Sequence, residues 1–579
     1  MLLPLLAFAL HTASTLVAAQ LALPSQPWLP PSISDGASPS NQSYPNSKWS
    51  TLVGNLLYFY EAQRSGELPQ TNRVSWRNAS ALDDGREARV DLSGGYYDAG
   101  GYDVANQTAY LDDMLRWGLD WLVKAHTNES TLYVLVASKD VDNSYWGGDR
   151  SIPSPRPVYQ VNDTYPGTDV AAQTAAAFAA CSNLYGNRAL DSSTFSTPAS
   201  LQDNGFSDTL LTHAQQLYAF AVNATGGRKV YQKSVPQVAD AYGSSDYGDE
   251  LAIAALFLSW ATGDAALFAE AESYYEKYNL ADSNRVFNWD SKVPGLAVLF
   301  SQIAKSNPSV GANFTTWQAA AEQYFDSIVD NKKSPGRMTG GGLLFFEGDS
   351  DSASLNPALN VAMLMRRFST LATSDEKKTK YLNFAQSQLD YALGKNPMSG
   401  ESALLTYEDA NANDYTILVP YIVGANPNSP SNPHSAMASG GNDVETIDTD
   451  PLNTTYTLYG AVVGGPDKLD RFFDIRSDWP QTEIALDYNA PMLTLAAMHA
   501  LADRLDPYYT ALRAGEYEKV KPDGFPCDAV FTSGCRGPHM SKGAKIAMAV
   551  SIVVVSLIVF GLAGYYLHLL IRNAKDGTV

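Results

Sequence analysis

One short segment, residues 472–490, concentrates groups that can move protons and bind sugars. It contains the acids Asp474 and Glu483, the cation Arg476 and the aromatic residue Tyr488, just before a long apolar helix pattern. A carboxyl group can deliver a proton to a glycosidic oxygen, and aromatic rings suit the apolar faces of sugars. The alternative is a capped helix start, because acidic residues are favoured near helix N-termini.

The spacing in this segment is aromatic-x-Asp-x4-aromatic-x3-Glu-x-Ala-x3-Asn-Ala, from Phe472 to Ala490. It resembles the C-terminal active-site signature of family 9 glycoside hydrolases, which are mostly endoglucanases that cut β-1,4-glucan. The resemblance implies that Glu483 is the general acid and that Asp474 shapes the same site. If the match were accidental, another helical-barrel glycosidase or a lyase would be the alternative.

Further motifs extend the resemblance from about residue 48 to residue 505. They are DLSGGYYDAG (Asp91–Gly100), DWLVKAH (Asp120–His126), PGTDVAA (Pro166–Ala172), DEL (Asp249–Leu251), GKNP (Gly394–Pro397) and GGPD (Gly464–Asp467). The family implies an all-α fold, an (α/α)6 barrel of twelve helices with its site in a groove at one end. Within the family, the sequence resembles the membrane-anchored branch seen in fungi.

The position of the catalytic base departs from the family pattern. An inverting glycosidase needs a second carboxylate that deprotonates a water, about 6.5–9.5 Å from the acid. In the family this base is the second Asp of Asp-Ala-Gly-Asp. Here Asp98 matches the first Asp, which helps to hold the water, and Gly101 occupies the base position. Asp103 is an alternative base, although it lies in a different local context.

A missing segment explains this departure better than a point change does. Family members continue with an aromatic-rich apolar helix, whereas this chain passes almost directly from Gly100 to the helix pattern at 108–126. We therefore expect one helix with its loops, about 20–30 residues, to be absent between Gly100 and Gly101, through an omitted exon or a real loss. The gap would expose apolar faces of neighbouring helices and remove the base. We predict that this chain hydrolyses β-glucan poorly or not at all.

Four residues are candidates for contacts with the glucan: Tyr97, His434, Arg476 and Tyr488. His434 lies where many family members carry His-x-Arg, and Ala436 occupies the Arg place. The alternative for His434 is a loop histidine without a role. Arg476 is expected in the site because a carboxylate, Asp474, is close in sequence.

An acidic loop, residues 245–250, resembles the calcium loop of several family members. The resemblance assigns a possible structural calcium to Ser245, Asp249 and Glu250, with Asp290 as a distal ligand. Clustered oxygen atoms suit calcium, but an acidic helix N-terminus would look the same. The chemistry requires no cofactor, no Cys/His spacing supports zinc, and no Gly-rich turn supports a nucleotide.

Composition and the chain termini indicate a secreted, membrane-held protein. The 579 residues carry a net charge of -21, which argues against nucleic acid as a partner. Residues 1–19 are predicted to be a signal peptide, and 546–571 form an uncharged span long enough to cross a bilayer. This predicts a single-pass plasma-membrane protein with an extracellular catalytic domain and a cytoplasmic tail at 572–579. The resemblance to family 9 implies β-glucan as its partner. We expect a monomer.

Sequons and cysteines agree with export. Eight N-x-S/T sequons precede the apolar span: Asn41, Asn78, Asn106, Asn128, Asn162, Asn223, Asn313 and Asn453. Cys527 and Cys535 flank a short loop before the span, and an oxidising compartment would let them pair. Cys181 lies in an apolar run and is expected to be a buried thiol.

Helical patterns alternate with loops along the rest of the chain. Eleven are recognisable: 48–64, 108–126, 169–184, 208–223, 249–262, 267–278, 293–305, 316–330, 355–368, 377–393 and 483–505. Strand alternation is scarce, and residues 132–137 are the best case. We predict an extended lead-in at 20–46, a catalytic domain at 47–510 and a juxtamembrane linker at 511–545. The alternative to a closed barrel with one helix missing is an open helical solenoid.

Overall fold

Helices are the main secondary structure in a computed structural model that describes residues 20–97, 107–190, 201–282, 286–396, 419–535 and 542–575. The α-helices in these residues are α1 (Ser47–Ala62), α2 (Thr108–Ala125), α3 (Lys139–Asn143), α4 (Thr168–Tyr185), α5 (Asn204–Asn223), α6 (Ala239–Tyr242), α7 (Gly248–Thr262), α8 (Ala265–Lys277), α9 (Val293–Ser306), α10 (Phe314–Val329), α11 (Leu355–Phe368), α12 (Asp375–Ala392), α13 (Ala436–Ser439), α14 (Trp479–Thr482), α15 (Leu486–Ala502) and α16 (Lys542–Lys575). The strands are β1 (His126–Asn128), β2 (Thr131–Val136), β3 (Val158–Asn162), β4 (Arg337–Met338) and β5 (Leu344–Phe345).

The long helices pack on one another in chain order. Helix α4 packs against α5 and α7, α7 against α8 and α9, and α9 against α10 and α11. Helix α11 packs against α12 and α15, and α15 packs against α1. Apolar side chains such as Leu256, Phe300 and Leu359 are fully buried between them. This pairing of successive helices around a common core confirms the predicted all-α, α/α-barrel architecture.

All eleven helical patterns form helices, and α11 has the predicted bounds. Within the described residues, no further helix of comparable length precedes the C-terminal α16. The prediction was wrong at the start of α15, which begins at Leu486 instead of Glu483. The one-turn helix α14 ends at Thr482, and Glu483 itself is extended, with φ -58° and ψ 144°.

The small sheet lies beside α2. Strands β1, β2 and β3 are antiparallel in that order, and β2 pairs Thr131 with Asn162 and Val136 with Val158. The sequence predicts the central strand within one residue. It does not reveal β1 and β3, because a strand of three residues and a strand in a polar stretch have little period-two alternation.

The helix faces next to the predicted gap are partly covered. No large apolar side chain of α1, α2 or α4 is exposed. On α2, Trp117 Nε1 donates to the Gly95 carbonyl at 2.7 Å and Trp121 Nε1 to the Leu92 carbonyl at 2.8 Å. Gly95 has φ +68°, and a Cβ there would lie 2.8 Å from the Trp121 ring. The loop before residue 97 therefore folds over part of α2, on which Leu115, Leu122 and Val123 are partly exposed.

The ordered domain extends beyond residue 510, its predicted end. Asn428 Nδ2 donates to the Arg513 carbonyl at 2.6 Å, and the Tyr517 hydroxyl donates to the Phe472 carbonyl at 3.2 Å. Cys527 and Cys535 form the expected disulfide. Residues 511–535, assigned by sequence to a linker, thus pack on the barrel. Cys181 is a free thiol and is only half-buried.

The C-terminal helix α16 carries the predicted apolar span. Among the described residues, the window Val555–Arg572 is the one that is long and apolar enough to cross a membrane, with a mean hydropathy of 1.6. The predicted signal peptide, residues 1–19, lies outside the described residues.

Candidate active site

Backbone hydrogen bonds fix the position of Glu483 from three sides. Its amide donates to the Trp479 carbonyl at 2.9 Å, and its carbonyl accepts from the Gly464 amide at 2.9 Å. Glu483 also forms an isolated parallel bridge with His434, whose amide donates to the Thr482 carbonyl at 2.8 Å. The half-buried carboxyl group therefore projects from a rigid extended residue between α14 and α15.

The carboxylate of Glu483 lies next to a cleft. The Tyr488 hydroxyl, in the first turn of α15, donates to Glu483 Oε2 at 3.5 Å. Tyr488 in turn lines a cleft of about 290 Å³ together with Trp289, Asp349 and Asp487. Trp289 is 41% exposed and presents a ring to any ligand in this cleft, while burial raises the pKa of Asp349.

The cleft residues other than Tyr488 escaped the sequence analysis. Trp289 precedes Asp290, a predicted metal ligand, and this adjacency was the available signal. Asp349 follows β5, in a segment for which the sequence predicts no element. Asp487 lies within the 472–490 signature, but the spacing does not distinguish a site residue at this position from an ordinary surface acid at the start of a helix.

His434 is held as a neutral imidazole beside residues 474–483, which carry Asp474 and Glu483 and are called the acid segment below. Its Nδ1 donates to the Arg476 carbonyl at 2.7 Å, and its ring meets the Trp146 ring edge-on at 4.9 Å. Burial lowers the pKa of His434. With Nδ1 protonated, Nε2 is an acceptor in the neutral ring.

Asp474 holds the loop that carries His434. Its carboxylate accepts from the Ser431 amide at 2.9 Å, the Ser431 hydroxyl at 2.8 Å and the Asn432 amide at 3.0 Å. Asp474 is 6% exposed and has φ +50°, an uncommon backbone conformation outside glycine. These contacts link the two segments on which His434 and Glu483 stand.

Arg476 does not take Asp474 as its partner. Its guanidinium donates to the carbonyls of Ile447 and Pro451, to Asn432 Oδ1 at 3.2 Å and to Thr454 Oγ1 at 3.2 Å. The side chain is 2% exposed. Arg476 therefore holds the 447–454 loop, and its burial lowers the pKa of the guanidinium.

Tyr97 contacts Ser80 and Arg77, which do not line the cleft of Trp289 and Tyr488. Its hydroxyl donates to Ser80 Oγ at 2.5 Å, and the Arg77 guanidinium lies 5.5 Å from its ring centre. The adjacent Asp98, Gly101 and Asp103, on which the base prediction depends, lie outside the described residues.

The acidic loop brings three carboxylates together. Oxygen atoms of Asp246, Asp249 and Glu250 lie within 4.8 Å of one another. Glu250 Oε2 is buried without a hydrogen-bond partner, and Lys292 Nζ lies 3.6 Å from Glu250 Oε1. Burial, reinforced by Asp249, raises the pKa of Glu250. This donor set fits a hard cation such as calcium, and Asp246 is a donor that the predicted set lacks.

The other two predicted ligands lie at the edge of this cluster. The Ser245 amide donates to Asp290 Oδ1 at 2.8 Å, so Asp290 holds the loop that leads into α7.

Comparison with known proteins gives one family. The model of glycosyl hydrolase family 9 matches residues 49–103, 101–407 and 416–496. The first two matched segments meet at residues 101–103, where the sequence predicts a missing segment.

Relatives with assigned activities are endoglucanases. The chain is 31% identical over 481 residues to endoglucanase A of Bacillus pumilus, covering 78% of this chain and 66% of that one. It is 31% identical over 516 residues to endoglucanase 15 of Arabidopsis thaliana, covering 80% and 95%. The chain thus spans just under two thirds of the bacterial relative and nearly all of the plant one.

Solved structures share the fold. The endoglucanase of the termite Nasutitermes takasagoensis superposes with a TM-score of 0.65 at 31% identity, covering 78% of this chain and 99% of that one. The cellulase Cel9M of C. cellulolyticum in complex with cellobiose gives a TM-score of 0.62 at 25% identity, covering 78% and 98%.

Proposed function

This chain belongs to glycosyl hydrolase family 9, and from that membership we propose that its cleft binds β-1,4-glucan and that Glu483 protonates the leaving oxygen. It is a glycoside hydrolase by family, and its relatives are endoglucanases. The observation that carries the proposal is the contact of Glu483 Oε2 with the Tyr488 hydroxyl at 3.5 Å, at the edge of a cleft lined by Trp289.

The proposed chemistry is a single displacement with inversion at an internal bond of the glucan. Glu483 gives its proton to the glycosidic oxygen as the bond to the sugar carbon breaks, and a water attacks this carbon from the opposite face and releases a proton to the solvent. Asp98 would orient this water, and Gly101 supplies no base. His434, Arg476 and Asp474 keep the acid segment and its flanking loops in place. Hydrolysis by this chain is therefore slow compared with its relatives.

A second candidate is a membrane-held β-glucan-binding protein without turnover. Gly101 at the base position favours it, and the presence of Glu483, Asp474 and Asp98 favours the enzyme. Binding to cellulose without release of soluble sugar would separate the two.

Trp289→Ala is expected to weaken binding of cellotetraose about tenfold, because the exposed indole supplies a stacking surface in the cleft. Titration calorimetry on the full-length chain in detergent measures the change. Tyr165→Ala, which removes another exposed aromatic ring, is the matched control and should leave binding unchanged. Equal affinity of the Trp289→Ala and unmodified proteins would place the glucan elsewhere.

We further propose that Asp246, Asp249 and Glu250 hold a structural calcium ion. Saturating calcium is expected to raise the melting temperature by about 2–3 °C, as binding at about 100 times the dissociation constant does for a domain of this size. Asp249→Asn should abolish this rise in a calcium-against-EDTA comparison. A rise of the same size in both proteins would contradict the assignment.

The chain is proposed to be a monomer at the plasma membrane, anchored by α16 with the barrel outside the cell, as in the fungal branch of the family. The apolar window Val555–Arg572 and the disulfide between Cys527 and Cys535 support this placement. Surface biotinylation of intact cells tests it, and a chain that the reagent reaches only after lysis would contradict it.

A further inference from the structure

The disulfide loop near the C-terminus docks on the barrel at Asp467 and Asp351. The Cys527 amide donates to Asp467 Oδ2 at 3.0 Å, and the Ala529 amide donates to the Asp351 carbonyl at 3.4 Å. These two bonds flank Asp528 and fix its position. The loop lies beyond residue 496, where the family match ends.

The Asp478 and Asp528 side chains lie close enough for a hydrogen bond between them, and both carboxyl groups are buried. Asp478 is 0% exposed and Asp528 is 5% exposed. One oxygen of Asp528 accepts from the amides of Val530 and Phe531 at 3.0 Å each. Its other oxygen, and both oxygens of Asp478, are buried without a hydrogen-bond donor.

No cation neutralises this pair among the described residues. Neither Asp478 nor Asp528 takes part in an ion pair there, and the side chains acting most strongly on Asp478 are the acids Asp528, Asp467 and Asp448. Arg471 is committed to Asp467, with its Nη2 at 2.7 Å from Oδ2. Two adjacent, unpaired carboxylates in a protein interior are strongly unfavourable, so one of them must be neutral.

We propose that Asp478 and Asp528 share one proton, and that this carboxyl–carboxylate bond clamps the disulfide loop onto the segment carrying Glu483. A single proton placed between them joins two of the three orphaned oxygens, one as the donor and one as the acceptor. Aspartate pairs that share a proton in this way are known from aspartic proteases.

The proposed bond between Asp478 and Asp528 helps to position Glu483, the candidate acid. The Asp478 carbonyl accepts from the amides of Gln481 at 3.1 Å and Thr482 at 3.0 Å. The Thr482 carbonyl accepts from the amide of His434, and Glu483 follows directly. Asp478 and Asp528 are thus positioning residues that act through this backbone turn.

The shared proton makes the stability of the barrel dependent on pH. Burial, together with Asp528, raises the pKa of Asp478 to about 8, and burial raises that of Asp528. An unfolded aspartate releases its proton near pH 3.9, so between that pH and about 8 the folded chain holds one proton more than the unfolded chain. Stability from this pair is therefore greatest in acid and is lost as the pH rises to about 8.

Thermal unfolding of the full-length chain in detergent micelles, from about pH 5 to pH 8, tests the proposal. The matched variant is Asp528→Asn, whose amide can donate to Asp478 without titrating and whose carbonyl can still accept from Val530 and Phe531. We expect the melting temperature of the unmodified chain to fall further over this range than that of Asp528→Asn, by up to about 4 °C, because burial of Asp478 persists in the variant. Asp528→Ala, which leaves Asp478 without a partner, should melt lower than Asp528→Asn at every pH.

Two results would overturn the proposal. One is the same pH dependence in the unmodified chain and in Asp528→Asn. The other is a calcium-dependent rise in melting temperature that is present in the unmodified chain and absent in Asp528→Asn, since a cation and not a proton would then join the carboxylates. A calcium effect of equal size in both proteins belongs to the acidic loop of Asp249 and leaves the clamp in place. All of these experiments measure the melting temperature, so their outcome does not depend on whether the chain hydrolyses glucan.

Discussion

Added azide is expected to raise the rate at which this chain cleaves phenyl β-cellobioside by about 100-fold or more, because a general base contributes about 10²–10⁴ to such rates. In the proposed mechanism, Gly101 occupies the position of the base and supplies no carboxylate to activate water. Azide needs no base: its nitrogen bonds to the anomeric carbon, the bond to the phenolic oxygen breaks, and Glu483 gives its proton to that oxygen. Release of phenol and mass spectrometry of the glycosyl azide measure the reaction.

Sodium chloride at the same ionic strength is the control and should change the rate little. A relative that retains the Asp-Ala-Gly-Asp motif should show no comparable acceleration, because its own base already activates water. Turnover at the rate of such a relative, without any added anion, would contradict the prediction. It would mean that Asp98 or Asp103 serves as the base.

Asp474→Ala is expected to lower the free energy of unfolding by about 3–5 kcal/mol and to weaken cellotetraose binding. The substitution leaves the Ser431 amide and hydroxyl and the Asn432 amide without their acceptor, and hydrogen bonds to charged groups contribute about 1.5–3 kcal/mol each without adding fully. The loop before His434 is then released from the acid segment. Urea unfolding and calorimetric titration measure the two effects.

Asp448→Ala is the matched control for this substitution. Asp448 is exposed and accepts one hydrogen bond, from the Ser477 amide at 2.9 Å. Its removal should cost less than about 1 kcal/mol, as for most surface positions. Equal losses in the two variants would show that Asp474 does not anchor the loop.

The helical scaffold could be predicted from sequence because its signal is local. Apolar periodicity within each segment predicted eleven long helices, and α11 matches its predicted bounds. The start of α15 was wrong because Glu483 is extended by pairing with His434 and Gly464, partners that are distant in sequence. The periodicity of apolar residues within a segment contains no information about such tertiary contacts.

The residue types of the site could be predicted from the sequence, but the hydrogen-bond partners of these residues could not. The signature spacing marks Glu483 and Asp474, and the structure brings both next to His434. Proximity in sequence suggested that Arg476 pairs with Asp474. In the fold, the 447–454 loop brings carbonyl oxygens to Arg476, and Asp474 turns to Ser431 and Asn432. Contacts with loops that are distant in sequence cannot be inferred from local composition.

Glu483→Gln provides the most direct test of proton delivery, measured as azide-supported cleavage of phenyl and dinitrophenyl β-cellobiosides. Dinitrophenolate departs without a proton, whereas phenolate needs one. If Glu483 is the acid, the variant should cleave the dinitrophenyl substrate nearly as fast as the unmodified chain and the phenyl substrate about 100-fold more slowly. Equal rates for the variant and the unmodified chain on the phenyl substrate, or equal losses on both substrates, would contradict that role.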